Sequence, residues 1–187
     1  MLPLLLACSN ATAPADDTWR PDTGPLDTDT NDSGTDDSGT NTGGTMYLVM
    51  LNEVLADNQK GATNELGDHE DWIELFNAGS DAVDLTGWSL SDDDGEPWSI
   101  DTPLTLDAGQ LLLIWCDDED DEDLTELHAD FKLSRDGESL LLRDHTGEPV
   151  DAVDFPKLAE DQSWGRLPDG GPEWTYLDEP TPGANNL

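Results

Sequence analysis

Two glutamates stand where a strand pattern calls for apolar side chains. In "VMLNEVLAD" (49–57) Glu53 alternates with Val49, Leu51 and Leu55, and in "DWIELF" (71–76) Glu74 alternates with Trp72 and Phe76. Successive side chains of a strand point to opposite faces, so both carboxylates share a face with apolar neighbours. A carboxylate turned into such surroundings must meet a cation, bind a metal or take up a proton. The connection between the two segments adds further oxygens at Asp57, Asn58, Glu65, Asp68, Glu70 and Asp71. Calcium takes roughly six to eight oxygen ligands, which this region can supply. A calcium site on Glu53, Asp57, Asp71 and Glu74 is therefore one expectation. A structural ion pair is the other and takes precedence, because the acids follow no regular calcium-loop spacing.

Other reactive side chains are few. The three histidines are His69, His128 and His145. "GDHED" (67–71) sets acids beside a histidine, but within a turn, and no H-E-x-x-H or G-x-S-x-G pattern accompanies it. No catalytic residue is assigned. The two cysteines, Cys8 and Cys116, do not make a disulfide framework. Cys116 closes the apolar run "QLLLIWC" (110–116) and reads as a buried thiol. Directly after it come seven consecutive acids, Asp117 to Asp123. A block of like charges reads as a solvated connection. Deleting Asp118 to Asp123 is accordingly expected to leave the fold intact.

The elements that must position these groups begin near Met46. "MYLVMLNEVL" (46–55), "DWIELFN" (71–77), "GWSLSD" (87–92), "QLLLIWC" (110–116), "ESLLLRD" (138–144), "VDAVDF" (150–155) and "EWTYL" (173–177) read as strands. Turn signals such as "NAGSD", "SRDGE", "DHTGEP" and "LPDGGP" separate them. Only "DEDLTELHAD" (121–130) is ambiguous. Many short strands at close spacing predict an all-β sandwich or barrel. The tryptophans at 72, 88, 98, 115, 164 and 174 are read mainly as core.

The 187-residue chain carries 44 acids against 7 Lys and Arg, a formal charge of −37. Such a surface repels nucleic acid and anionic lipid, and favours cationic partners or divalent metal. Lys132, Arg135 and Arg143 are too few to form a nucleic-acid stripe. Residues 9–45 are almost all Asp, Thr, Ser, Gly, Asn and Pro, and read as a disordered acidic linker. Ahead of them, Leu5-Leu6-Ala7-Cys8 resembles a bacterial lipobox. Its apolar stretch is short and lacks a preceding basic residue, so residues 1–8 read as the end of a truncated lipoprotein-type signal, with Cys8 lipidated.

The ordered motifs "LNEVLADN" (51–58), "EDWIELFNAGSDAVDLTGWSLSDD" (70–93), "LDAGQLLLIWCD" (106–117), "LHADFKLSRDGESLLLRDHTGEPVD" (127–151), "SWGRLPDGGPEW" (163–174) and "PTPGANN" (180–186) resemble the lamin tail domain family. The resemblance spans about residues 48–187 and is nearest the bacterial branch. It implies an immunoglobulin-like β-sandwich over residues 46–187. It also implies a non-catalytic interaction or adhesion module of the kind joined to secreted enzymes and envelope proteins. Within it, Arg166 of "SWGRLPDG" is the expected ion-pair partner of Glu74 and Glu53, and His128 of "LHADFKL" is expected to pack or hydrogen-bond. The acidic block departs from the family pattern. The expected protein is a lipid-anchored or secreted module of the cell envelope on an acidic stalk. It would touch the membrane only through Cys8, bind no nucleic acid, and meet an envelope protein, a glycan or another copy of itself. A calcium-stabilised structural module and a targeting accessory to a secreted hydrolase are the alternatives.

Overall fold

The computed structural model describes residues 48–92, 96–118 and 124–186. Cys8, the linker and Glu119 to Asp123 lie outside the described residues. The strands are β1 (Val49–Leu55), β2 (Asp71–Asn77), β3 (Val83–Asp84), β4 (Ser89–Ser91), β5 (Trp98–Ser99), β6 (Thr105–Leu106), β7 (Leu111–Cys116), β8 (His128–Ala129), β9 (Glu138–Arg143), β10 (Pro149–Phe155), β11 (Ser163–Arg166) and β12 (Trp174–Leu177). One sheet runs β12-β11-β1-β2-β7-β8, a second runs β10-β9-β4-β5, and β3 pairs with β6. No helix occurs among the described residues. The architecture is the expected all-β, immunoglobulin-like sandwich.

Alternation builds the core. From the six-stranded sheet, Leu51, Val54, Ile73, Leu75 and Ile114 are fully buried. They belong to one cluster with Leu90, Leu140, Leu142, Val153 and Phe155 of the four-stranded sheet. Each such side chain contributes ~1.5–3 kcal/mol by leaving water. Cys116 and Trp88 lie in the same cluster, and burial pushes the Cys116 thiol well up. A smaller apolar cluster, Leu55, Trp72 and Trp115, forms separately. By alternation it occupies the other face of the six-stranded sheet.

One irregularity decides where the acids go. The β1–β2 register shifts between Leu51 and Glu53, so Asn52 is an extra residue in β1. A bulge of this kind reverses the side-chain phase beyond it. Leu51 and Val54 both face the core, and Glu53 therefore faces away from it with Leu55. The expectation that Glu53 shares a face with Val49 and Leu51 is corrected on this point. Glu74 lies opposite Glu53 in an unshifted part of β2, on the Trp72 face as expected.

The short strands β3, β5, β6 and β8 are too brief to show periodicity in the sequence. The ambiguous stretch ends in β8, which runs parallel to β7 with Trp115 beside His128 and Cys116 beside Ala129. The acidic block therefore belongs to a connection between two parallel strands.

Candidate functional site

Glu53 and Glu74 are cross-strand neighbours with no solvent exposure. The chain after β12 closes over them. Ser163 Oγ and the Thr181 amide (3.1 Å) both donate to Glu53 Oε1. Thr181 Oγ1 lies 2.9 Å from Glu53 Oε2. Glu74 Oε1 accepts from Asn52 Nδ2 at 3.1 Å, and Oε2 accepts from the Gly183 amide at 2.6 Å. A third acid completes the group: Asp169 Oδ1 accepts from Asn52 Nδ2 (2.9 Å) and the Asn186 amide (3.0 Å). Burial raises both glutamates above the ordinary carboxylate range, against the lowering effect of these hydrogen bonds, and Glu74 reaches about 7. The charges of Glu53 and Asp169 push Glu74 in the same direction.

Arg166 does not join them. Its Nη2 pairs with Asp151 Oδ2 at 3.0 Å, its Nε donates to Leu51 O at 2.8 Å, and its Nη1 donates to Gly171 O at 2.7 Å. The guanidinium also lies 4.7 Å from the ring centroid of Trp174. The expected pairing with Glu74 and Glu53 is thus corrected, and alternation supplies the reason. Ser163 and Gly165 of β11 face the glutamates, so Arg166, one residue on, turns to the opposite face. There it meets Asp151, which alternates with Val153 and Phe155 of β10 and points at the six-stranded sheet. Burial raises the Asp151 carboxyl, and the Arg166 charge opposes the rise. Asp151 Oδ2 also accepts from the Leu51 amide at 2.9 Å. The sheets are therefore clamped at the β1 bulge, where Leu51 presents both its N–H and its C=O.

The four acids proposed for calcium do not converge. By alternation Asp71 points away from the Glu74 face. Its Oδ1 accepts from the Asp57 amide at 2.7 Å, and Asp57 pairs with Arg135 at 2.8 Å. The intervening loop holds itself closed in the same manner. Asn58 Nδ2 donates to the Ala62 and Glu70 carbonyls, Asn64 Oδ1 accepts from the Leu66 and Asp68 amides, and Glu65 Oε1 accepts from the Thr125 amide. Among the described residues no group of three or more His, Cys, Asp or Glu side chains is arranged to hold a metal ion.

The acidic block also has a structural member. Asp117 is 4 % exposed, and its Oδ2 lies 2.6 Å from His128 Nδ1, so the reading of the whole block as solvated is corrected at its first residue. His128 hydrogen-bonds as its family-like position implied. Its Nε2 is buried with no partner among the described residues. Asp118, the next acid, is exposed.

A cleft of about 500 Å³ opens elsewhere on the domain, with Leu48, Ala82 and Val83 among its apolar lining and Asp81, Asp84 and His145 among its polar lining. Leu48 is 46 % exposed. Asp84 is held below the ordinary carboxylate range by the hydroxyl and amide of Thr86, and so stays ionised at neutral pH. The sequence reading missed this cleft, together with Asn52, Asp151, Asp169, Thr181 and Asn186. Asp151 carried a usable signal, an acid in phase with Val153 and Phe155.

These features define a β-sandwich whose buried acids tie chain segments together. A family model for the Lamin Tail Domain matches residues 47–157, more than half of the chain. The chain belongs to the lamin tail domain family. The match ends at Lys157, so β11, β12 and the segment over the glutamates follow it, where the resemblance had been read as far as residue 187. A search of curated proteins returned no match.

Proposed function

We propose that this chain is a non-catalytic interaction module of the cell envelope, held by a lipid on Cys8 and displayed on the acidic stalk of residues 9–45. Its partner is a protein that inserts a Lys or Arg side chain beside an apolar one. The observation that carries this reading is the cleft, in which ionised Asp84 and neighbouring Asp81 flank the apolar surface of Leu48, Ala82 and Val83. A charge of −37 steers cationic partners towards such a site. Membership of the lamin tail domain family is compatible with an interaction role. The calcium alternative gains no support from Glu53 and Glu74, because each of their carboxyl oxygens is already engaged in a hydrogen bond within the protein.

The test is capture from envelope extracts on immobilised full-length chain, compared with Asp81→Lys and Val83→Glu. A partner held by wild type and lost at least tenfold from both variants supports the reading, as does release by 0.5 M salt. Equal capture by all three chains contradicts it. Fatty-acid labelling of the chain in cells, abolished in Cys8→Ser, tests the tether.

A further inference from the structure

The segment after β12 rests on three carboxylates that pair with no cation among the described residues. The Thr181 amide donates to Glu53, the Gly183 amide to Glu74 and the Asn186 amide to Asp169. Asn186 Nδ2 adds a fourth tie to the Arg166 carbonyl at 2.8 Å. Beneath the segment, Gly165 leaves room for it. A Cβ at that position would lie 2.7 Å from Leu177 Cδ1, 2.9 Å from Asn186 Nδ2 and 3.2 Å from Glu53 Cγ.

Counting hydrogens locates a proton. The Asn186 amide group is oriented by its Nδ2 contact to Arg166 O, so its Oδ1 is an acceptor. Thr181 Oγ1 sits 2.6 Å from that Oδ1 and 2.9 Å from Glu53 Oε2. A hydroxyl has one hydrogen and can donate to only one of them. If Glu53 is ionised, one of these contacts sets two acceptors against each other. If Glu53 Oε2 carries a proton, it donates to Thr181 Oγ1, which donates to Asn186 Oδ1, and every contact is satisfied.

The surroundings favour that proton. The charged groups bearing on the pair are Glu53 and Asp169 on Glu74, and Asp169, from the β11–β12 turn, on Glu53. From β2's other neighbour, Leu113 of β7 stands opposite Glu74. From β11 come Ser163 and Gly165, and Arg166 is turned away to Asp151. Within the covering chain, Asp178 is exposed and bonded to Gln162, and Glu179 is exposed.

We propose that residues 181–186 form a clasp closed by a proton on Glu53 Oε2, and that the clasp loosens when Glu53 gives that proton up. The device is independent of the cleft: it governs whether residues 181–186 are fastened, and failure of either proposal leaves the other standing.

The test is amide hydrogen exchange of the full chain at pH 6 and pH 8.5, each rate corrected for its intrinsic pH dependence. Protection of the Thr181 and Gly183 amides is expected to fall at least tenfold in wild type between these values, while Leu75 in the core keeps its protection. In Glu53→Gln the side-chain amide supplies the N–H that the proton supplied, and Oε1 still accepts from Ser163 and Thr181. Protection there is expected to stay level. Wild-type protection that does not change with pH overturns the proposal, as does a Glu53→Gln chain with the wild-type slope. Should that variant not fold, the wild-type comparison of Thr181 and Gly183 with Leu75 decides alone.

Discussion

Arg166 makes four contacts at once: an ion pair to Asp151, two hydrogen bonds to backbone carbonyls and a stack on Trp174. Removing one partner of a largely buried pair strands the other charge. Arg166→Ala is expected to lose ~3 kcal/mol or more in urea denaturation. Arg166→Lys should recover little of this, since an ammonium cannot reproduce the fork that reaches Leu51 O, Gly171 O and Asp151 together. A fully stable Lys variant would show that the contacts to Leu51 and Gly171 are incidental. The arginine was legible in the sequence as a clamp, but its partner was not. The strand pattern marks Glu53, Glu74 and Asp151 alike as acids in apolar phase, and only the position of Arg166 relative to Ser163 and Gly165 selects Asp151.

Among elements, the β1 bulge has the widest consequences. Alternation read through residues 49–55 assumes an unbroken pleat, and one extra residue at Asn52 sends Glu53 to the other side. Glu74, on a strand without a bulge, was assigned its face correctly for the same reason. The covering role of "PTPGANN" was hidden for a different cause: its main donors are backbone N–H groups, which nearly every residue possesses. Gly165→Ala tests this packing. The added methyl meets Leu177, Asn186 and Glu53 too closely, and the expected loss is ~1–3 kcal/mol, with exchange at Thr181 accelerated. The β7–β8 connection gives a second contrast. Asp117→Asn weakens the bond to buried His128 and is expected to cost ~1–3 kcal/mol. Exchanging residues 119–123 for Asn and Gln should change the melting temperature far less. If the two variants melt alike, Asp117 is no more structural than its neighbours.

For the whole molecule, charge dominates. With a formal charge of −37, self-repulsion opposes the compact state. The melting temperature is expected to rise between 0.05 and 0.5 M sodium chloride, and equally in choline chloride, because screening is indifferent to the cation. A rise specific to calcium would instead indicate a metal site. Stability should also depend on pH. Glu74 has a folded value of about 7 against an ordinary 4.5, so it binds its proton more tightly folded than unfolded. Its contribution is complete below the ordinary value and is lost as pH rises through about 7, a change of roughly 3 kcal/mol. Glu53 acts in the same direction. Urea midpoints should therefore be higher at pH 5.5 than at pH 8, and Glu53→Gln should narrow the gap.

The clasp and the pH dependence of stability rest on Glu53 and Glu74 holding a proton in the folded chain. Carbon-13 titration of the side-chain carboxyls in the full chain reads that directly. The Glu74 carboxyl is expected to titrate near 7 and Glu53 above the ordinary range. Both carboxyls titrating near the ordinary 4.5 would contradict the account.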